Sequence, residues 1–101
     1  MTREEMKLIE VHILGWNDPE PWIAEGQEPT IEHAFQVVEA IFDRHRWALC
    51  LKQQGDTGEW SAAFRCLFYP SYLDHVAPSP KRAVFCAAIK VAQRIAAEKA
   101  L

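Results

Sequence analysis

The sequence predicts an α+β fold in which a helix and a loop precede a second helix, an antiparallel β-hairpin and a C-terminal helix, layered as an α/β sandwich. Three observations predict it: a capped amphipathic segment from Thr30, two alternating segments joined by a Gly-Asp-Thr-Gly turn, and an Ala-rich segment after Ser79. The chain has 101 residues, 50% of them hydrophobic, which is enough apolar surface for one core. We therefore predict a single domain over residues 1–101, with 30–101 as its helix–hairpin–helix core.

The N-terminal segment carries a helix signal at each end. Thr2 followed by Glu5 fits a capping box, and Gly15 is a typical helix stop. These signals predict a helix over residues 3–14. The same stretch also alternates between β-branched and polar residues, which is the pattern of a strand, but the two capping signals favour the helix.

Residues 15–29 cannot continue a regular element, because this stretch holds three prolines and two glycines. It contains four acidic residues and the tryptophans Trp16 and Trp22. We predict an acidic surface loop here. The indoles have two open interpretations: they are exposed and bind a partner, or they fold back to cover the core.

The next helix begins at Thr30, a good N-cap, and extends to Asp43. Basic residues at 44–46 suit the negative end of its dipole. Its apolar residues recur at helical spacing and are expected to face the core together. They are Ile31, Ala34, Phe35, Val38, Ile41 and Phe42.

Residues 46–53 and 59–68 alternate around the turn and predict a β-hairpin. If Gln54 faces Glu59, three pairs share one face of the sheet: Trp47 with Cys66, Leu49 with Phe64, and Leu51 with Ala62. The other face holds small apolar side chains, so we expect a second layer to cover it as well. A short third strand is expected within 69–78.

The last helix is capped by Ser79 and has Pro80 at its first position. Apolar residues spread around most of its circumference. Such a helix is either largely buried in the fold or part of a homodimer interface.

Catalytic and metal-binding patterns do not occur in this sequence. The four histidines form no HExxH motif, no serine lies in a Gly-x-Ser-x-Gly elbow, and four glycines leave no phosphate-binding loop. The odd number of cysteines has no metal-ligand spacing and predicts buried thiols, with Cys50 and Cys66 on opposite sheet faces. We therefore expect a non-enzymatic protein without a cofactor or metal, and a cytoplasmic one, because no signal peptide or membrane span is evident.

The net charge of −3 conceals a segregation along the chain. Residues 1–43 carry ten acids against two bases, a balance of −8, and residues 44–101 carry nine bases against four acids, a balance of +5. An acidic loop with tryptophans would steer and hold a partner with a basic surface. The predicted partner-binding residues are Trp16, Asp18, Glu20, Trp22, Glu25 and Glu28.

Several short motifs resemble the phage ABA-sandwich family of small phage and prophage proteins. They are the start MTREE, the pair Gly15-Trp16, the run 34–39, Trp47, and the segments 60–64 and 83–92. This chain differs by having Phe35 where the family often has Trp and by a shorter first helix. The resemblance implies a layered α/β fold and a phage origin, and it supplies no catalytic residues because the family has no established activity. It leads to our main hypothesis, an accessory protein that binds a host protein, such as a host-defence component of the CRISPR type.

Two alternatives stay open. The order of elements and the run 79–88 resemble double-stranded-RNA-binding domains, although Pro80 and Val84 stand where that family has lysines. A pI near 5.8 makes nucleic-acid binding the less favoured hypothesis. The other alternative is a signalling nucleotide or similar small molecule held in a Trp-lined pocket, with phosphates bound by Arg44, Arg46, Lys81 and Arg82.

Overall fold

A computed structural model describes residues 1–68 and 71–100 and confirms the α+β architecture. The predicted third strand is present at 72–77, while positions 69 and 70 of that prediction lie outside the described residues. The elements are α1 (Arg3–Ile9), a π-helical turn (Glu10–Leu14), α2 (Ile31–His45), β1 (Trp47–Gln53), β2 (Trp60–Cys66), β3 (Tyr72–Ala77) and α3 (Pro80–Lys99).

The three strands form one antiparallel sheet with β2 in the centre. The predicted hairpin register is confirmed: Trp47 lies opposite Cys66, and the two following inward pairs are also as expected. The backbone N–H of Gln54 donates to the carbonyl of Glu59 at 2.8 Å, which closes the turn. Polar and apolar residues alternate along both strands, and the turn between them is short. This register therefore places the apolar residues of both strands on the same buried face.

Among the described residues, helices cover only one face of the sheet, so the expectation of two covered faces is wrong. Helix α3 packs against β2 and β3, and α2 packs against β1. The opposite face, which we call the open sheet face, exposes Cys50, Arg65, Tyr72 and Val76. Ser61 and Ala63 of the central strand also lie on this face, and they are buried without a second layer because side chains of the two neighbouring strands shield them.

Helix α2 begins at Thr30, whose hydroxyl accepts a hydrogen bond from the backbone N–H of His33 at 3.2 Å. Its buried residues are Ala34, Val37 and Ile41. The prediction that all six apolar residues face the core is therefore wrong in part: Val37 belongs to the core, and three of the six are exposed. The exposed ones are Ile31, Phe35 and Phe42.

Helix α3 is buried on more than one side, as predicted. It contacts the sheet on one side and α1, α2 and the π-helical turn on others. Its apolar coverage is therefore explained by packing within the chain and gives no reason for a homodimer through this helix. No helix in the described residues combines the length and the apolar character needed to cross a membrane.

The N-terminal helical segment is confirmed, with a correction to its last turns. Thr2 and Glu5 form the predicted capping box. The helix then widens into the π-helical turn and ends at Gly15, whose φ of 62° is the left-handed conformation that favours glycine. Ile9 and Ile13 are completely buried in the main core. The core thus extends beyond 30–101, because α3 needs this segment on its second side.

Candidate functional site

The acidic loop is held in place by hydrogen bonds from its two tryptophans. The indole N–H of Trp16 donates to the carbonyl of Glu20 at 2.7 Å, and the backbone N–H of Glu20 donates to Asp18 at 3.0 Å. The indole N–H of Trp22 donates to Gln36 at 3.2 Å, which ties the loop to α2. The tryptophans therefore position the loop.

The two indoles differ in exposure. Trp16 is 37% exposed, whereas Trp22 is half-buried and packs against the core. The ring of Trp22 meets the imidazole of His33 edge to face, with centroids 5.0 Å apart. Of the two interpretations of these tryptophans, the covering of the core fits Trp22 and surface exposure fits Trp16.

Glu10 is the residue of this region that sequence reasoning missed. It is only 5% exposed, and its carboxylate accepts the backbone N–H of Trp22 at 2.9 Å. A buried carboxylate that accepts a backbone N–H fixes the path of the loop. The sequence did contain a signal for this role. Glu10 lies next to Ile9 and near Ile13 in a helix, so its side chain is directed toward the apolar face of that helix.

A groove of about 790 Å³ lies between α1 and the acidic loop. Its apolar lining comes from methionines, prolines and Ile23. Five carboxylates and two bases also line it, so the groove is acidic. The charged residues are Glu4, Glu10, Asp18, Glu20 and Glu25, with Arg3 and Lys7.

The structure brings three of the six predicted partner-binding residues into this groove: Asp18, Glu20 and Glu25. Trp16, Trp22 and Glu28 do not line it. Arg3 and Glu25 approach to 3.7 Å, but both side chains are exposed, so this ion pair contributes little to stability. The carboxylates on the rim are thus available to a basic partner.

A smaller cavity of about 400 Å³ opens where α2 and α3 end above the start of β1. Trp47, Arg44, His45 and Lys99 are part of its lining. Burial lowers the pKa of His45, the hydrogen bond with the backbone carbonyl of His12 opposes that shift, and the positive charges of Lys99 and Arg44 add to it. The environment of His45 therefore disfavours its protonated form, and the charged side chains that line the cavity are Arg44, Lys99 and Glu98.

The four bases proposed for a nucleotide do not converge. Arg44 and Arg46 lie next to the start of β1, and Lys81 and Arg82 follow β3, whose last residue lies at the other end of the sheet. Seven residues of strand separate these ends by about 20 Å. One nucleotide cannot be bound by both pairs, so the nucleotide hypothesis loses its predicted phosphate site.

The cysteines and other metal-ligating side chains are dispersed. All three cysteines are free thiols, with Cys66 buried, Cys86 half-buried and Cys50 exposed, so the prediction of a buried thiol is wrong for Cys50. The opposite sheet faces predicted for Cys50 and Cys66 are confirmed by the register. Within residues 1–68 and 71–100, no three His, Cys, Asp or Glu side chains are arranged to hold a metal ion.

No protein-family model, curated protein or solved structure matches this chain. The similarity to the phage ABA-sandwich family thus stays a prediction. The groove, its charges and the fold around it are the observations on which a function can be argued.

Proposed function

We propose that this chain is a non-enzymatic binding protein whose acidic groove takes a basic segment of another protein. The observation that supports it is the groove between α1 and the loop, whose lining combines apolar side chains with five carboxylates against two bases. Carboxylates accelerate the encounter with a basic partner and select its orientation. Apolar surface in the same groove supplies the area from which most binding free energy comes.

The loop is built to present these charges in a fixed arrangement. The bonds of Trp22 to Glu10 and Gln36 anchor the middle of the loop, and the bond of Trp16 to Glu20 closes its first turn. A loop that is ordered before binding loses less conformational entropy on association. The same charges repel phosphates, which favours a protein partner over a nucleic acid.

The finer form of the proposal is a phage or prophage accessory protein that binds and inhibits a host protein. The motif resemblance and the balance of −8 over residues 1–43 support it. Such a surface could occupy the nucleic-acid-binding site of a host-defence complex of the CRISPR type by imitating the charge of phosphates.

Neutralising the groove without changing side-chain size is expected to weaken binding of a basic segment about tenfold, because three exposed carboxylates that contribute about 0.5 kcal/mol each lose about 1.5 kcal/mol together. The variant is Asp18→Asn, Glu20→Gln, Glu25→Gln. The probe is a fluorescent peptide of alternating lysine and leucine, measured by anisotropy at low and high salt. Added salt should weaken the wild-type complex by screening.

The matched control removes the same charge outside the groove, on α2 and the hairpin turn, with Glu39→Gln, Asp56→Asn and Glu59→Gln. These acids lie outside the groove, so this variant should bind the peptide nearly as well as wild type. Equal weakening by both variants would mean that net charge, and not the groove, binds the peptide. Capture from a bacterial lysate tests the finer form, which fails if no host protein is retained at either salt concentration.

The RNA-binding alternative has the order of elements in its favour, since a helix, three antiparallel strands and a helix are present. At the start of α3 only Lys81 and Arg82 are basic, and this end of the helix carries Pro80 and a buried Val84 where the resemblance requires lysines. Phosphate contacts by lysine and arginine dominate affinity for nucleic acids. We expect no shift of duplex RNA in a native gel at low salt. A shift that disappears as salt is raised would contradict this prediction and revive the alternative.

A further inference from the structure

A row of apolar side chains, which we call the α2 seam, runs along a side of α2 that the core leaves open. It consists of the exposed Ile31, Phe35 and Phe42 and of Val38, which is half-buried and also packs against the core, at steps of four, three and four residues. These steps keep the side chains within about 60° of one another around the helix. Ile31 and Phe42 are 40% exposed and Phe35 is 57% exposed. A contiguous row of this kind indicates an interaction surface.

The α2 seam lies on the flank of α2 that faces away from the N-terminal segment. The opposite flank is occupied, since His33 contacts the ring of Trp22 and the guanidinium of Arg44 lies against Gly15. The buried row of α2 lies between these two flanks and packs on the core. The seam therefore projects beside β1, which is an edge strand of the sheet.

We propose that the α2 seam joins two copies of this chain in a two-fold, antiparallel pair of α2 helices. The charges around α2 support a second copy as the occupant. Glu28 and Glu32 lie at the start of the helix, and Arg46, whose guanidinium lies over the ring of Phe42, is the base that borders the seam at its end. Antiparallel pairing brings each acidic start beside a basic end, whereas parallel pairing brings like charges together. Opposed helix dipoles favour the same arrangement.

The spacing of the seam also suits a two-fold axis through its midpoint. Ile31 of one copy then lies opposite Phe42 of the second copy, and Phe35 lies opposite Val38. The guanidinium of Arg46 stands over the ring of Phe42, 5.3 Å from its centroid. This contact holds the positive charge at the border of the seam, facing the acidic start of the other helix.

The size of the seam predicts a weak dimer. Helix α2 has 15 residues and spans about 22 Å. One helix face of that length buries less than the roughly 800 Å² per partner of a standard stable interface. We therefore expect a dissociation constant in the micromolar range, with monomer and dimer exchanging as concentration changes.

Sedimentation velocity of the full chain across the micromolar range tests this inference. The wild-type mass should rise with concentration from 11.6 kDa toward twice that value. Phe35→Glu should remain monomeric at every concentration, because it places a charge in the centre of the seam. Tyr72→Glu changes an equally exposed aromatic on the open sheet face and should dimerise like wild type. A wild-type chain that stays monomeric, or a dimer lost in Tyr72→Glu and kept in Phe35→Glu, would overturn the proposal.

A charge swap separates antiparallel pairing from other uses of the seam. Arg46→Glu should weaken the dimer, and the double variant Arg46→Glu, Glu28→Arg should restore it, because the opposite charges face each other again across the two-fold axis. Failure of the double variant to recover any affinity would exclude this arrangement. Circular dichroism of each variant confirms that it is folded. The peptide-binding experiment on the groove is independent, because the groove and the seam share no residue.

Discussion

Phe64→Ala is expected to lower the free energy of unfolding by about 3–5 kcal/mol, because it removes a large side chain from the core. Phe64 is completely buried on the central strand, between Leu49 of β1 and Leu73 of β3. Its removal leaves a cavity beneath α3 that the surrounding sheet and helix cannot close. Because domains of this size are stable by only about 5–15 kcal/mol, the variant should be close to unfolding. Urea titration followed by tryptophan fluorescence measures the loss.

The matched control is Phe68→Ala, which removes the same side chain from a position that is 76% exposed. Its effect should stay within about 0.5 kcal/mol, as is usual for exposed positions. Comparable losses from both variants would contradict the placement of the core on the inner face of the sheet. The comparison therefore tests whether the loss comes from the burial of Phe64 and not from the removal of an aromatic side chain as such.

The hairpin is the part of the fold that the sequence predicts in most detail. Alternation of period two assigns every residue of β1 and β2 to a face, and the short turn fixes how the strands are aligned. A shift by one residue would expose Trp47 and Leu49 and bury Lys52. Because that shift is so unfavourable, the local pattern alone predicts the register. It also predicts that Cys50 and Cys66 lie on opposite faces of the sheet.

The faces of α2 could not be predicted in the same way. Its apolar residues occupy more than one side of the helix, and periodicity cannot decide which side the rest of the chain covers. Tertiary contacts select Ala34, Val37 and Ile41 for the core and leave Phe35 and Phe42 exposed. The excess of apolar residues over what the core requires is itself the observation that led to the α2 seam.

The sequence also could not show whether a second layer covers the open sheet face. Small side chains permit a covering layer, but they do not require one. Ala63 is buried without it, since the strands on both sides shield a side chain so short. Deciding between a covered and an open face needs the position of every helix, and both α2 and α3 lie on the other side.

The acidic loop was predicted as a surface, but its internal order was not. Composition identifies the prolines, acids and tryptophans, whereas the bond between Glu10 and Trp22 spans 12 residues and has no local signature. Three of the six predicted partner-binding residues line the groove because they are polar and lie on the same loop as its apolar floor. The contribution of α1 to the other wall could be recognised only once the two segments were placed side by side.

Ile13→Ala is expected to cost about 2–5 kcal/mol of stability, although it lies outside the segment 30–101. Ile13 is completely buried in the π-helical turn, which packs against α2 and α3. The matched control is Val11→Ala, another β-branched truncation two residues away, which is 47% exposed and should change stability by less than about 0.5 kcal/mol. Both are measured by urea unfolding, with far-UV circular dichroism and tryptophan fluorescence recorded together. A single transition that shifts equally for both probes means that the N-terminal segment folds as one cooperative unit with the sheet. Trp16 and Trp22 belong to the loop and Trp47 and Trp60 to the hairpin. An early loss of only part of the indole signal in Ile13→Ala would therefore show that the wall of the acidic groove unfolds on its own.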